Sequence, residues 1–404
     1  MENIDPTSSL PALTAILLAL LTAAMLARLF GEPAIAGKRF SSIDGLRGYL
    51  AFGVFLHHAV IWYFFLHTSK WQVPSSHLYT HLGQSSVALF FMITGFLFWS
   101  KLIDGRARAI DWRRLYVSRV FRLTPLYLFA ILAVLFLVMA ASGFNLNEPL
   151  RPLLRKTAEW LAFTIPGNPD LNGFRKTFVV IAGVTWSLPY EWLFYAALPL
   201  GALVLGTMPP KRWLIFSLVV LSLVAIAMPA IEPIYLATFG GGIAAAFCAR
   251  SENMRARFSG KVGAILAIVC FGATVIIFPR ADNLPSVLLL SMGFIAIACG
   301  NTLFGVLALP ASRLLGEIGY SLYLLHGILL FATFQFGFGM DAASTISASK
   351  YWLLILGIVP VLVTMGYITF RMIESPGINA GSYVHRWLTK RLPTAYTSEY
   401  KESV

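Results

Sequence analysis

Residues 41–60 read SSIDGLRGYLAFGVFLHHAV, and the apolar run that they open, 48–66, decides how the rest of the chain is read. The run holds no Lys, Arg, Asp or Glu. As a helix it has about the length needed to cross a hydrocarbon core roughly 30 Å thick. Ionisable side chains within such a run are expensive, so each is a functional candidate. Arg47 stands at its mouth and His58 near its middle. They are eleven residues apart, which at about 100° per residue is three turns plus roughly 20°. They therefore share one helix face, about 16 Å apart along the axis. Asp44, three residues before Arg47, lies on the same face and can hold the guanidinium by an ion pair. His57 points roughly 100° away.

Outward from this stretch the same pattern recurs. Comparable apolar runs lie near 10–30, 85–102, 126–144, 186–205, 213–230, 234–249, 262–278, 286–306, 313–337 and 351–372. The reading is an all-α polytopic transmembrane helical bundle of about eleven spans: an extra N-terminal helix ahead of a ten-helix core. Composition agrees. Of 404 residues 58% are hydrophobic and only 12% charged, where a soluble domain carries about a quarter. The mean hydropathy is +0.74. Too little polar surface is left to cover a water-soluble particle. The first run is read as a retained helix, because its leading residues carry Glu2 and Asp5 but no Lys or Arg and its length exceeds a signal core of about 7–15 residues.

The net charge of +13 raises the question of a nucleic-acid partner, and its distribution answers it. With eleven spans and the N-terminus outside, 23 of the 31 Lys and Arg residues fall on the cytoplasmic side and eight outside. That asymmetry is the positive-inside pattern, giving N-out/C-in and no nucleic acid. The chain divides into 1–47, an N-terminal helix and cytoplasmic connector; 48–376, the membrane domain; and 377–404, a polar cytoplasmic tail. Within the long outer loop 145–185, Leu150, Leu153, Leu154, Ala158 and Leu161 recur at helical spacing, the pattern of an interfacial helix. Cys248, Cys270 and Cys299 sit in apolar runs without CxxC or His pairing, so no metal set is read from them.

Further polar residues stand out against the apolar background. In RRLYVSRVFRLTPLY, Arg119 and Arg122 are at i,i+3 and share a face. Two guanidiniums at a membrane mouth can grip phosphate; the bland alternative is anchoring to the cytoplasmic surface. Arg106, Arg108, Arg113 and Arg114 stay with anchoring. TWSLPYEWLFYAALPL brings Glu191 into a span beside Trp186, Tyr190, Trp192 and Tyr195. An aromatic belt explains the rings but not the carboxylate, which can orient a histidine or bind a sugar hydroxyl. GEIGYSLYLLHGILL holds Ser321 and His326, five residues and about 140° apart, so they form no Ser–His dyad within one helix. An imidazole such as His58 titrates near neutrality and suits general-base work; a structural hydrogen bond across the bundle is the alternative.

Together these blocks resemble the acyltransferase-3 family of bacterial membrane O-acyltransferases. Arg47 and His58 match its Arg-x10-His motif, and Arg119 and Arg122 its Arg-x-x-Arg motif. FFMITGFLF is similar to its FF-x-x-SGFL block, with Thr94 where Ser is usual. TWSLPYEWLFY carries Glu191, and SLYLLH carries Ser321 and His326. The resemblance runs from about 40 to 376. It implies a multi-pass protein of the bacterial inner membrane that moves an acyl group, usually acetyl from acetyl-CoA, to a hydroxyl of a lipopolysaccharide or other surface glycan, with no bound cofactor and no metal.

On this expectation the phosphorylated donor approaches Arg47, Arg119 and Arg122 from the cytoplasm. His58 and Glu191 serve the chemistry, and Asp44, Trp186, Ser321 and His326 support it. The glycan enters from the outer side past Glu191. Direct attack on the thioester and an acyl-enzyme route are both open. The rival reading is a transporter or flippase with polar residues lining a translocation path.

Overall fold

The computed structural model describes residues 5–31, 40–107, 109–227 and 231–390. Arg108, the connector residues 32–39 and the tail beyond 390 lie outside the described residues. The fold is all-α, with no strand among the described residues. The long helices are α1 (Ser9–Phe30), α2 (Ser41–Thr68), α3 (His77–Asp104) and α4 (Trp112–Ala141). Then come α5 (Leu150–Leu161), α6 (Leu188–Val204), α7 (Lys211–Ala227), α8 (Pro233–Cys248), α9 (Glu252–Phe258), α10 (Lys261–Ile277) and α11 (Leu284–Ala298). The chain closes with α12 (Pro310–Glu317), α13 (Gly319–Ala332), α14 (Met340–Ala343), α15 (Ala348–Thr369) and α16 (Ser375–Lys390). α15 and α16 are joined through a π-helical turn, Phe370–Glu374, into one continuous helix.

The described residues do not hold the expected eleven spans. Among them six helices are long and apolar enough to cross a membrane: α1, α2, α3, α4, the helix Gly319–Phe338 and the helix Ala348–Thr389. The count reaches seven if α9 and α10, bent by 74°, form one span. The apolar runs of the middle third become helices of only 15 to 17 residues. At 1.5 Å per residue these reach about 22–26 Å, short of a core roughly 30 Å thick. The helices match the apolar runs in position, with Pro209 and Pro210 between α6 and α7, Pro233 opening α8 and Pro285 in the first turn of α11; they fall short in length. Hydropathy marks where apolar residues gather and not whether the helix they form reaches across. The alternation that led to N-out/C-in therefore no longer follows.

Burial is arranged as a bilayer requires. α1 buries Ala12, Ala15, Ala19 and Ala23 against α15, while Leu10, Leu13, Leu17 and Leu21 point outward. Lipid chains satisfy leucine as well as protein does, so small residues go to the helix contacts and large ones to the outside. The tightest contacts are made at glycine. A Cβ on Gly242 of α8 would lie 1.9 Å from the Met92 carbonyl oxygen of α3, and one on Gly316 of α12 would lie 1.7 Å from the Asp44 carbonyl oxygen of α2. Both pairs of helices can meet only backbone to backbone.

The adjacent glycines of α8 supply a controlled test. Gly242→Ala must push α3 and α8 apart and is expected to destabilise the protein by about 1–3 kcal/mol. Gly240→Ala meets nothing within 4 Å and should be neutral or slightly stabilising. Melting of the two variants in detergent distinguishes them; equal melting would mean that the α3–α8 contact is not close.

Candidate active site

A cavity of about 320 Å³ lies among α2, α3, α4, α6 and α13. Its charged lining is mostly basic: Arg47 from α2, Lys101 from α3, and Arg119 and Arg122 from α4 face Asp44 of α2 and Glu191 of α6. Helical periodicity accounts for the cations one helix at a time, since Arg119 and Arg122 lie a turn apart and Asp44 and Arg47 likewise. Packing of α2 on α3, and of α3 on α6, brings them to one chamber.

The charges are held by aromatic and hydroxyl groups. Both the Lys101 ammonium, at 5.0 Å, and the Arg119 guanidinium, at 5.1 Å, lie over the ring of Phe98, a favourable use of the ring's negative face. Tyr195 hydroxyl donates to Glu191 Oε2 at 3.1 Å, and Thr94 Oγ1 approaches Oε1 at 3.5 Å. Tyr195 also interacts with Arg119, so Glu191, Tyr195 and Arg119 form one linked set. Arg119 Nε is buried with no hydrogen-bond partner. A buried donor left unmatched costs free energy unless something accepts from it, and here it borders a cavity.

Glu191 thus belongs to the arginine chamber. The expectation that it stands on the far side, beside a histidine, is not what the packing produces. Trp186 does not line the chamber either. It is 39% exposed and packs with Tyr235 and Tyr190, ring centroids 4.8 and 5.9 Å away.

Further along α2, His58 meets His326 of α13, with Nδ1 3.1 Å from His326 Nε2. Two carbonyls assign the protons. His326 Nδ1 is 2.9 Å from Leu322 O, and His58 Nδ1 is 3.0 Å from Val54 O. A carbonyl only accepts, so each Nδ1 carries hydrogen. If both rings are neutral, His326 offers a lone pair at Nε2, and the one Nδ1–H of His58 is shared between that lone pair and Val54 O. What remains is a bare Nε2 on His58, the atom required of a proton acceptor. Trp71 stacks on the His58 ring at 6.1 Å and 20°. His57 turns away and gives its Nδ1–H to Tyr79 O at 2.7 Å.

The histidines and the arginine chamber are neighbours, not one space. Neither His58 nor His326 lines the cavity. Phe90 and Tyr323, whose rings are 6.1 Å apart, border its far end, and Tyr323 stands 6.5 Å from His326. Tyr323 hydroxyl donates to Val184 O at 2.9 Å and lies 2.8 Å from Ser187 Oγ, which ties this partition to the segment before α6.

Ser321 points elsewhere. Its hydroxyl donates to Glu374 Oε1 and lies 2.9 Å from Thr369 Oγ1. Glu374, Lys101 and Tyr323 are not among the sequence candidates, and Tyr195 stands there only as an aromatic ring beside Glu191. The signal for Glu374 is a carboxylate just beyond the apolar run 351–372. The helix in fact continues through it.

Comparison with known proteins bears on what this arrangement does. Residues 40–371 match the family model described as Acyltransferase domain. The chain is 30% identical to the acyltransferase MdmB of Streptomyces mycarofaciens over 181 residues, covering 43% of this chain and 42% of that relative. It is 26% identical to the exopolysaccharide production protein ExoZ of Rhizobium meliloti over 319 residues, 74% of this chain and 91% of that one. No solved structure matches. The matched segment begins just before α2 and ends within the π turn, taking in the arginine chamber and the paired histidines, and on that ground the chain belongs to the acyltransferase-3 family of membrane acyltransferases.

Proposed function

We propose that the protein transfers an acyl group, usually acetyl, from acyl-CoA to a hydroxyl of a surface glycan at the bacterial inner membrane, with His58 as the general base. The observation that carries this reading is the pairing of His58 Nδ1 with Val54 O and with His326 Nε2, because a neutral His58 that gives its Nδ1–H to them keeps Nε2 for accepting a proton. Family membership supports the acyl transfer, and the name of ExoZ supports an exopolysaccharide or similar glycan as acceptor.

The donor's phosphates suit the basic chamber, where four cationic side chains outnumber two carboxylates. Guanidiniums recognise phosphate bidentately, and Arg119 Nε has an unmet donor. The chamber lies at the end of the bundle where Arg106, Arg113 and Arg114 also cluster. Lys and Arg density of this kind marks the cytoplasmic side, where acyl-CoA is made. Arg47 and His58 lie about 16 Å apart along α2, so the donor's extended arm must span that interval and pass Phe90 and Tyr323 to bring its thioester to the base.

In the transfer His58 Nε2 removes the sugar hydroxyl proton while the oxygen attacks the thioester carbonyl. The carbon–oxygen bond forms and the carbon–sulfur bond breaks. The proton then passes from His58 to the CoA thiolate, which leaves as free thiol. His326 holds the imidazole in the required tautomer throughout, and no external oxidant or reductant is needed. An acyl-enzyme route would divide the same balance into two steps.

Radiolabelled acetyl-CoA supplied to the purified protein tests the reaction: free CoA and a labelled glycan are expected, whereas a flippase would move its substrate unmodified. His58→Ala should lower kcat by about 10²–10⁴-fold, the usual worth of a positioned base, with the protein still folded and inserted. Undiminished acylation in that variant would end the proposal. Arg122→Ala should weaken acyl-CoA binding by about 10–100-fold, as expected for losing a charged hydrogen bond. Unchanged donor affinity would return the arginine pair to surface anchoring.

A further inference from the structure

Glu374 is the carboxylate that the reaction above does not use. It is fully buried at 0% exposure and belongs to the π-helical turn Phe370–Glu374, an irregularity often found at functional sites. One oxygen, Oε1, accepts the Ser321 hydroxyl, and Thr369 Oγ1 in turn donates to Ser321 Oγ at 2.9 Å. The other, Oε2, is buried without a hydrogen-bond partner. Gly377, three residues on, packs on α4 so closely that a Cβ there would lie 2.8 Å from Phe121 O, which sets this turn beside Arg122. The charged neighbours of Glu374 are Arg122, Arg47 and the like-charged Glu317, and both arginines line the basic chamber. Packing of α4 against the π turn and α16 creates this proximity.

The arrangement repeats a pattern seen on the other side of the chamber. There Glu191, beside Tyr195, neighbours Arg119, Arg47 and Arg122; here Glu374, beside Ser321, neighbours Arg122 and Arg47 from the π turn. Three guanidiniums in a low-dielectric bundle repel one another strongly, and without counter-charges they would swing apart or out of the chamber. Glu191 lines the chamber, but Glu374 does not. It therefore acts from behind, where it attracts the arginines without competing for the ligand or repelling a phosphate directly.

We propose that Glu374, held by Ser321 and Thr369, is a positioning residue of the donor site that sets the spacing and orientation of Arg122 and Arg47 for a phosphorylated ligand. The proposal rests on the assignment of that chamber to acyl-CoA.

The test is equilibrium binding of CoA to the purified full-length protein in detergent, together with KM and kcat for acetyl-CoA. Glu374→Gln is nearly isosteric but uncharged. It should weaken CoA binding and raise KM by about tenfold or more, the low end of what close charge pairs contribute, with kcat changed far less. Glu374→Asp should recover part of the affinity. In a double-mutant cycle, Glu374→Gln combined with Arg122→Ala should lose clearly less CoA affinity than the sum of the two single losses, because much of the carboxylate's effect passes through that arginine and the rest through Arg47. Ser321→Ala keeps the charge but frees the carboxylate, and should give a smaller loss in the same direction; it serves if Glu374→Gln fails to fold. Additive losses in the cycle, or a fall in kcat with KM unchanged, would overturn the positioning role. If Arg122→Ala itself leaves CoA binding intact, the donor site is misassigned. If Arg122→Ala weakens binding while Glu374→Gln and Ser321→Ala do not, the donor site stands and this inference alone fails.

Discussion

The close approach of α2 to α12 governs the interior of this protein. Gly48 and Gly316 let two helix backbones meet where any side chain would collide: a Cβ on Gly48 would lie 2.7 Å from Gly316 N, and one on Gly316 would lie 1.7 Å from Asp44 O. α13 begins at Gly319, immediately beyond α12, and packs along α2. Ten residues after Gly48 comes His58, and ten residues after Gly316 comes His326. Helices that advance together by the same number of residues rise together, about 15 Å here. The contact at the glycines thus sets the register in which the two imidazoles meet at 3.1 Å. It also holds Asp44 and Arg47 at the edge of the basic chamber.

Charge placement follows from the same economy of space. A guanidinium within an apolar bundle is tolerable only with partners. The protein supplies these as carboxylates buttressed by hydroxyls, Glu191 with Tyr195 and Glu374 with Ser321, and as the Phe98 ring beneath Lys101 and Arg119. The basic residues are thereby held before any ligand arrives. Preorganisation of this kind lowers the cost of binding a phosphorylated group. The histidine pair is organised differently, by neutral hydrogen bonds to backbone carbonyls that settle a tautomer without any charge. Between the two centres stand Phe90 and Tyr323, so the basic chamber and the histidine pair occupy separate spaces.

Local features are the ones legible from residue order alone. Apolar composition excluded a soluble fold, and fixed helical spacing put Arg47 with His58 and Arg119 with Arg122 on shared faces, because 3.6 residues per turn is a property of the backbone alone. The same arithmetic separated Ser321 from His326 on α13. The number of crossings was not legible, since hydropathy registers where apolar residues gather but not whether the helix they form is long enough to span, and the five helices between 188 and 298 that occupy such runs have only 15 to 17 residues. Nor was Glu374, which falls past an apolar run on a turn whose π geometry no periodicity announces. Only the tertiary structure decided that His58 meets His326, that Glu191 joins the arginines, and that Ser321 serves Glu374. Those pairings depend on which helices touch and at what register, and that is settled by backbone contact at a few glycines, between segments far apart in the chain.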